Sequence, residues 1–267
     1  MMGPSKKIPV AMTIAGSDPG GGAGLQADLK TFAALRVYGF SVVTAIIAQN
    51  SARVGRVVPV APDLLKQQIE LLIEERMPDA LKTGALGSAP NVRAVAAAIR
   101  DFKLPAPVVD PVMVATSGAR LLDRDGQESL RRDLLPLARV VTPNLPEAEL
   151  LAAMTIASPV AMRAAARAIR KLGARAVIIK GGHSRDDRAV DLLFDGRRFI
   201  ELSSPRLPGG GAHGTGCAFA AAIAANLAKG ADLETAARRA KQFVTQALRA
   251  RFMLGSGRPL LDHFAGR

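Results

Sequence analysis

The chain has 267 residues, of which 49% are hydrophobic, and sets 36 Lys and Arg against 23 Asp and Glu for a formal charge of +13. That apolar content supports a sizeable core and excludes a disordered chain; no apolar run reaches the roughly 18 residues of a membrane span, and the longest, from Cys217 to Ala228, has the length of a buried helix. The charge invites nucleic acid as a partner, but there is no Trp and one Tyr. The cations are also spread over several segments, and Arg163, Arg167, Arg170, Lys171 and Arg175 read as the solvated face of one helix, whereas nucleic-acid surfaces cluster their cations and interleave aromatics. Neither nucleic acid nor a membrane is therefore expected as a partner. A basic chain also attracts anionic substrates such as nucleotides. The single cysteine, Cys217, cannot form an intramolecular disulfide, which suits a reducing, cytoplasmic setting. Residues 1–8 carry no apolar signal segment and read as a flexible N-terminus.

In chain order, Val10 to Ile14 reads as a strand, followed by a glycine loop and an amphipathic stretch from Leu25 to Leu35. Phe40 to Ile47 is β-branched and strand-like. Asp63 to Glu75 carries Leu65, Ile69, Leu72 and Ile73 at helical spacing. Ala80 to Thr83 is a short buried strand, Val92 to Ile99 is helical, and Pro107 to Asp110 and Val140 to Thr142 are apolar runs ending in polar residues. From Ser158 to Gly173 the signals are those of a helix: a capping Ser158, Pro159 in the first turn and Gly173 at the left-handed end. Ala176 to Lys180 is a strand ending in lysine. Asp191 to Phe194 and Phe199 to Leu202 flank Asp195-Gly196, a hairpin signal. Helices over about Gly214 to Lys229 and Asp232 to Arg251 close the chain.

Repeated β–α units imply an α/β fold of one domain, 1–267, with a mainly parallel central sheet flanked by helices on both faces. Ligands in such folds collect beyond the C-terminal strand ends. Gly209-Gly210-Gly211-Ala212-His213-Gly214-Thr215-Gly216-Cys217 feeds an apolar helix, and a glycine turn at a helix N-terminus presents backbone N–H groups and a positive dipole end to an anion. A thiol placed there is expected to have a lowered pKa and could take a proton from an attacking alcohol. The other reading of Cys217 is a small buried hydrophobe, and position alone leaves both open.

The segment Ile14-Ala15-Gly16-Ser17-Asp18-Pro19-Gly20-Gly21-Gly22-Ala23-Gly24 through Thr31 resembles the N-terminal signature of hydroxymethylpyrimidine/phosphomethylpyrimidine kinases, which belong to the ribokinase-like superfamily. Gln49-Asn50, Lys82-Thr83-Gly84, Asp110-Pro111-Val112-Met113, Thr142-Pro143-Asn144 through Glu149, Lys180-Gly181-Gly182-His183 and His213-Gly214-Thr215-Gly216-Cys217 follow in the family's order. The resemblance implies an ATP- and Mg²⁺-dependent kinase acting on a hydroxymethyl-pyrimidine and on its monophosphate, usually a homodimer; a monovalent-cation requirement stays open. It makes Gly214, Thr215 and Gly216 the anion hole and Cys217 the base. It places Gln49, Asp18, Gly22, Ala23 and Val112 at the pyrimidine, and Asp110, Thr142, Asn144, Lys180, Gly182 and His183 at ATP. Asp110 and Glu147 would hold the metal, Glu147 through water. A carboxamide such as Gln49 can pair twice with an aminopyrimidine edge. Asn144 and Glu147 would also suit an ordinary helix start. Departures from the family's usual residues stand at Gly20, Ala85, Ala212 and Ala218, and they bring in a pyridoxal-type vitamin kinase as the second reading. A basic non-catalytic nucleic-acid-binding protein is the third.

Overall fold

The structure is a computed structural model that describes residues 8–114, 118, 121–181, 188–255 and 257–265. Residues 1–7, and with them most of the segment read as a flexible N-terminus, lie outside the described residues, as do Gly182 and His183.

The chain begins with β1 (Val10–Ala15), α1 (Gly24–Ala34), β2 (Tyr38–Val43), β3 (Ala45–Gln49), β4 (Val54–Pro59) and α2 (Pro62–Glu75). It continues with β5 (Ala80–Thr83), α3 (Ala89–Asp101), β6 (Val108–Val109), α4 (Arg124–Ser129) with a π-turn and a 3₁₀ turn behind it, β7 (Val140–Val141), α5 (Leu145–Ala152), α6 (Pro159–Arg170) and β8 (Val177–Ile179). A hairpin of β9 (Arg188–Phe194) and β10 (Phe199–Pro205) and the helices α7 (Thr215–Ala228) and α8 (Leu233–Arg249) complete it. The main sheet has the order β10-β9-β8-β7-β6-β5-β1-β2. It is parallel from β2 across to β8, and β9 and β10 add antiparallel to that edge.

Strand alternation divides the core between two faces. Met12, Ile14, Val109, Val141, Val177 and Ile179 point to a layer made by α2, α3, α5 and α6. Ala11, Val108, Val140 and Ile178 point to α1, α7 and α8. Helix α7 is apolar on all sides because it is sandwiched: Phe219 to Leu227 is buried nearly throughout, and its alanines let α1, α8 and the sheet approach closely. Ser158 caps α6 by accepting from Ala161 N at 3.1 Å, as its sequence signals. Among the described residues no helix is long and apolar enough to cross a membrane.

Two expectations need correction. Phe40 to Ile47 is not one strand. It breaks at Thr44, where the Thr44 N–H bonds Ala15 O at 3.0 Å, its hydroxyl bonds Ala85 O at 2.6 Å and its carbonyl accepts from Val60 N and Asn91 Nδ2. These bonds turn the chain out of the main sheet, so β3 pairs antiparallel with β4 instead. The run from Pro107 to Asp110 gives a strand of only two residues, because Pro107 has no N–H to donate to a ladder.

Among the described residues the buried His263 has Nε2 without a partner, and burial pushes its pKa down from 6.5 to about 4. The unfolded chain therefore binds that proton more tightly, so stability is fully present above pH 6.5 and is lost as the pH falls toward 4. The thermal midpoint of wild type is expected to fall more over that window than that of His263→Leu. Parallel curves for the two proteins would contradict this.

Candidate active site

The parallel strands end on one edge of the sheet, and polar side chains follow them. Asp110 follows β6, Thr142 and Asn144 follow β7, and Lys180 follows β8. Opposite them stands the N-terminus of α7. Between the two lies a cleft of about 570 Å³.

The α7 wall is built by glycine. Gly214 sits in the left-handed region at φ 81°, and a Cβ there would stand 1.7 Å from Gly22 O, so only glycine lets the two loops meet. The Thr215 hydroxyl donates to Ala212 O at 2.7 Å. Among the described residues, the N–H groups of Gly216 and Cys217 have no protein acceptor. Free N–H groups at the positive end of a 14-residue helix are an anion site.

On the facing wall, Lys180 Nζ lies 3.1 Å from Asp110 Oδ1. Gly216 brings the α7 wall close: a Cβ on it would lie 3.0 Å from Lys180 Nζ. Burial works against the Lys180 charge, but Asp110 and Glu147 outweigh it and hold the pKa above the ordinary lysine value. Burial, joined by the Asp110 charge, pushes Glu147 up to about 7 against the pull of Lys180. Asn144 and Glu147 form a reciprocal cap on α5: Glu147 N donates to Asn144 Oδ1 and Asn144 N to Glu147 Oε2, both at 2.9 Å. The helix-start reading and the cleft placement thus hold together, since both residues also line the cleft. Among the described residues no group of three His, Cys, Asp or Glu forms a metal cage. A divalent ion here would need water and substrate oxygens beside Asp110 and Glu147, which fits Mg²⁺ rather than a tightly caged transition metal.

Gln49, Val112, Ala23 and Ala85 also line the cleft, Ala23 directly beside Gly214. Gln49 closes β3 at a register shift, and its carboxamide makes no hydrogen bond among the described residues. Asp18 and Gly22 do not line the cleft but stand behind it. Asp18 accepts from Gly20 N and Gly22 N at 3.1 Å, from Ala23 N at 2.7 Å, and contacts His213 Nε2 at 3.1 Å. Burial opposes the Asp18 charge, but the bonds from His213 and Ala23 prevail and hold its carboxyl below the usual value. Thr142 is buried behind the wall, its hydroxyl turned to Val109 O at 3.4 Å. The residues that depart from the family pattern fall in several places. Ala85 and Ala212 line the cleft, Ala218 is buried inside α7, and Gly20 lies outside the cleft lining.

Cys217 lines the cleft and is partly exposed to it, so it is not a wholly buried hydrophobe. The expected lowering of its pKa is wrong. Burial is the largest influence and pushes the thiol up to about 12; Lys82 and the Gly24 N–H pull it down, while Asp110 and Asp28 add to the rise. The helix end supplies a favourable field, but desolvation and two carboxylates outweigh it.

Sequence reasoning missed two ion pairs. Lys82 Nζ meets Asp28 Oδ2 at 2.7 Å with both side chains fully buried, and Lys241 Nζ meets Asp191 Oδ2 at 2.8 Å at the cleft rim. Lys82 lies within one of the quoted blocks and Asp28 within another, so the signal was a strand-interior lysine that needs a partner. Asp191 also fixes the chain after Lys180, accepting from Gly181 N at 3.0 Å.

Residues 18–262 match the family model described as phosphomethylpyrimidine kinase. The chain is 45% identical over 256 residues to the hydroxymethylpyrimidine/phosphomethylpyrimidine kinase of Bacillus subtilis, covering 96% of this chain and 94% of that protein. It is 46% identical over 252 residues to the thiamine biosynthesis bifunctional protein of Geobacter sulfurreducens, and spans 51% of that longer protein. Among solved structures, an ADP complex of Bacillus subtilis pyridoxal kinase superposes with a TM-score of 0.90 at 39% identity, covering 97% of this chain and 98% of that one. With a mainly parallel sheet flanked by helices and sequence matches over nearly its whole length, the chain has the ribokinase-like fold and belongs to the phosphomethylpyrimidine kinase family of phosphotransferases.

Proposed function

We propose that this chain transfers the γ-phosphoryl group of ATP to the hydroxymethyl group of 4-amino-5-hydroxymethyl-2-methylpyrimidine, and then to the phosphate of that product, giving the diphosphate for thiamine biosynthesis. The observation that carries this reading is the cleft itself. It joins an unengaged carboxamide at Gln49 to an anion wall at Gly214–Cys217 across one continuous space. The aminopyrimidine edge would pair with Gln49 as acceptor and donor, with Val112 against the ring. The phosphates would lie between the α7 N-terminus and Lys180, with Asn144 orienting them. The ADP complex of the pyridoxal kinase neighbour supports nucleotide use. Mg²⁺, beside Asp110 and Glu147, would neutralise phosphate charge.

In the first transfer the bond from the acceptor oxygen to γ-phosphorus forms and the bond to the β-bridging oxygen breaks. The alcohol proton must leave, and Cys217 is the side chain placed to take it. At neutral pH its thiol is protonated, so base action requires its own proton to be lost first. In the second transfer the nucleophile is a phosphate oxygen that needs no base. The chain would work as one domain, as a cytoplasmic homodimer, and exposed Tyr38, Ile46 and Val58 offer apolar surface to a second copy.

The test is the mass of the products formed from the hydroxymethyl-pyrimidine with ATP and Mg²⁺. Sequential appearance of monophosphate and diphosphate is expected. Absence of both would overturn the reading. The second reading, a pyridoxal kinase, is favoured by the close superposition on a pyridoxal kinase and by the small Ala85 in the acceptor wall. It predicts pyridoxal phosphate as the main product when both acceptors are present.

A further inference from the structure

A buried ion pair joins α1 to β5, the two elements that α7 packs against, and the proposed phosphoryl transfer does not use it. Lys82 and Asp28 are both fully buried, with Nζ and Oδ2 2.7 Å apart. The Thr13 hydroxyl donates to the same oxygen at 2.6 Å, while among the described residues Asp28 Oδ1 has no partner. Gly84 leaves room for the lysine head, since a Cβ there would stand 2.7 Å from Nζ. Burying two charges costs about what their attraction returns, so stability does not account for the pair. Its position does. The N–H of Gly24, the first residue of α1, favours the Cys217 thiolate, and Asp28 lies one turn further along the same face of that helix. Lys82, Gly24 and Cys217 all line the cleft.

We propose that Lys82 and Asp28 are positioning residues that set the charge of Cys217 from opposite sides, the ammonium favouring the thiolate and the carboxylate opposing it. This rests on the base role of Cys217 in the proposed function. The other charges facing the thiol are Asp110 beyond β6, which opposes the thiolate, and Lys180 beyond β8, which favours it. Lys82 is held above the ordinary lysine range: burial works against its charge, but Asp28, Cys217 and Asp110 prevail, so it stays a cation.

Because Cys217 is the only cysteine, iodoacetamide alkylation of the full chain reads this thiol alone. At one alkaline pH, Lys82→Met is expected to slow alkylation about tenfold or more, and Asp28→Asn to speed it by a similar factor, as a shift of about one pKa unit implies. A structural defect moves both variants the same way. The double variant Lys82→Met/Asp28→Asn removes both charges, so its rate should fall between those of the singles, and it serves where either single melts early. Lys82→Met should also reduce phosphorylation of the alcohol more than that of the monophosphate. Single variants that change alkylation in the same direction, or not at all, overturn the proposal. So does an equal loss of both phosphorylations with alkylation unchanged, which would put Lys82 on the transferring phosphoryl group. Failure of wild type to phosphorylate either pyrimidine would sink the proposed function while leaving the alkylation result to stand on its own.

Discussion

Cys217→Ala is expected to lower phosphorylation of the hydroxymethyl-pyrimidine by about 10²–10⁴-fold, the usual contribution of a positioned acid–base group, and phosphorylation of the monophosphate by less than about tenfold. The difference comes from the nucleophiles. An alcohol must shed its proton during transfer, whereas a phosphate ester already carries negative oxygens. The thiol's pKa of about 12 adds a pH signature. The thiolate fraction grows about tenfold per pH unit throughout the range below that pKa. The alcohol step should therefore rise steeply with pH, and the phosphate step should not follow it. Steady-state rates for both acceptors across neutral to alkaline pH, in wild type and variant, measure this directly. Equal losses on the two acceptors would remove Cys217 from the base role and leave it a part of the anion wall.

Gly214→Ala is expected to abolish both phosphorylations together. Its added methyl would stand 1.7 Å from Gly22 O, at a φ of 81° that itself costs a non-glycine residue about 1–2 kcal/mol. Nothing flexible can yield, because the obstacle is backbone. The loop 18–24 and the α7 N-terminus must separate, and a misplacement of about 1 Å is enough to cost roughly 10²-fold in rate. Both transfers share the anion wall, so both should fall by at least that factor, with an early thermal midpoint. A variant of wild-type rate would mean that the Gly214 N-terminal wall does not hold the transferring group.

The sequence displayed most of the parallel sheet because those strands are apolar runs that end in chemically informative residues: Asp110, Thr142 and Lys180 each follow a strand as expected. It did not display the turn at Thr44. β-Branched residues run straight through that position, and the bonds that break the strand come from Ala15, Ala85 and Asn91, far away in the chain. Strand β4 was missed because Val54 to Pro59 is largely exposed and lacks alternation. At the site, the glycine loop and its cysteine were legible from local chemistry, and Gln49 only through the family resemblance. The charge state of Cys217 was not legible. Helix-end reasoning counts the field along one helix, while the thiol responds more to burial and to carboxylates on α1 and beyond β6. The Lys82–Asp28 pair joins positions 54 residues apart, and only the packing of α1 against the sheet brings them together.

ATP turnover by the purified chain with Mg²⁺ on the hydroxymethyl-pyrimidine, its monophosphate and pyridoxal, compared as kcat/KM, tests the proposed substrate most directly. Both pyrimidines should be turned over, each with a higher kcat/KM than pyridoxal. Turnover confined to pyridoxal would contradict that assignment.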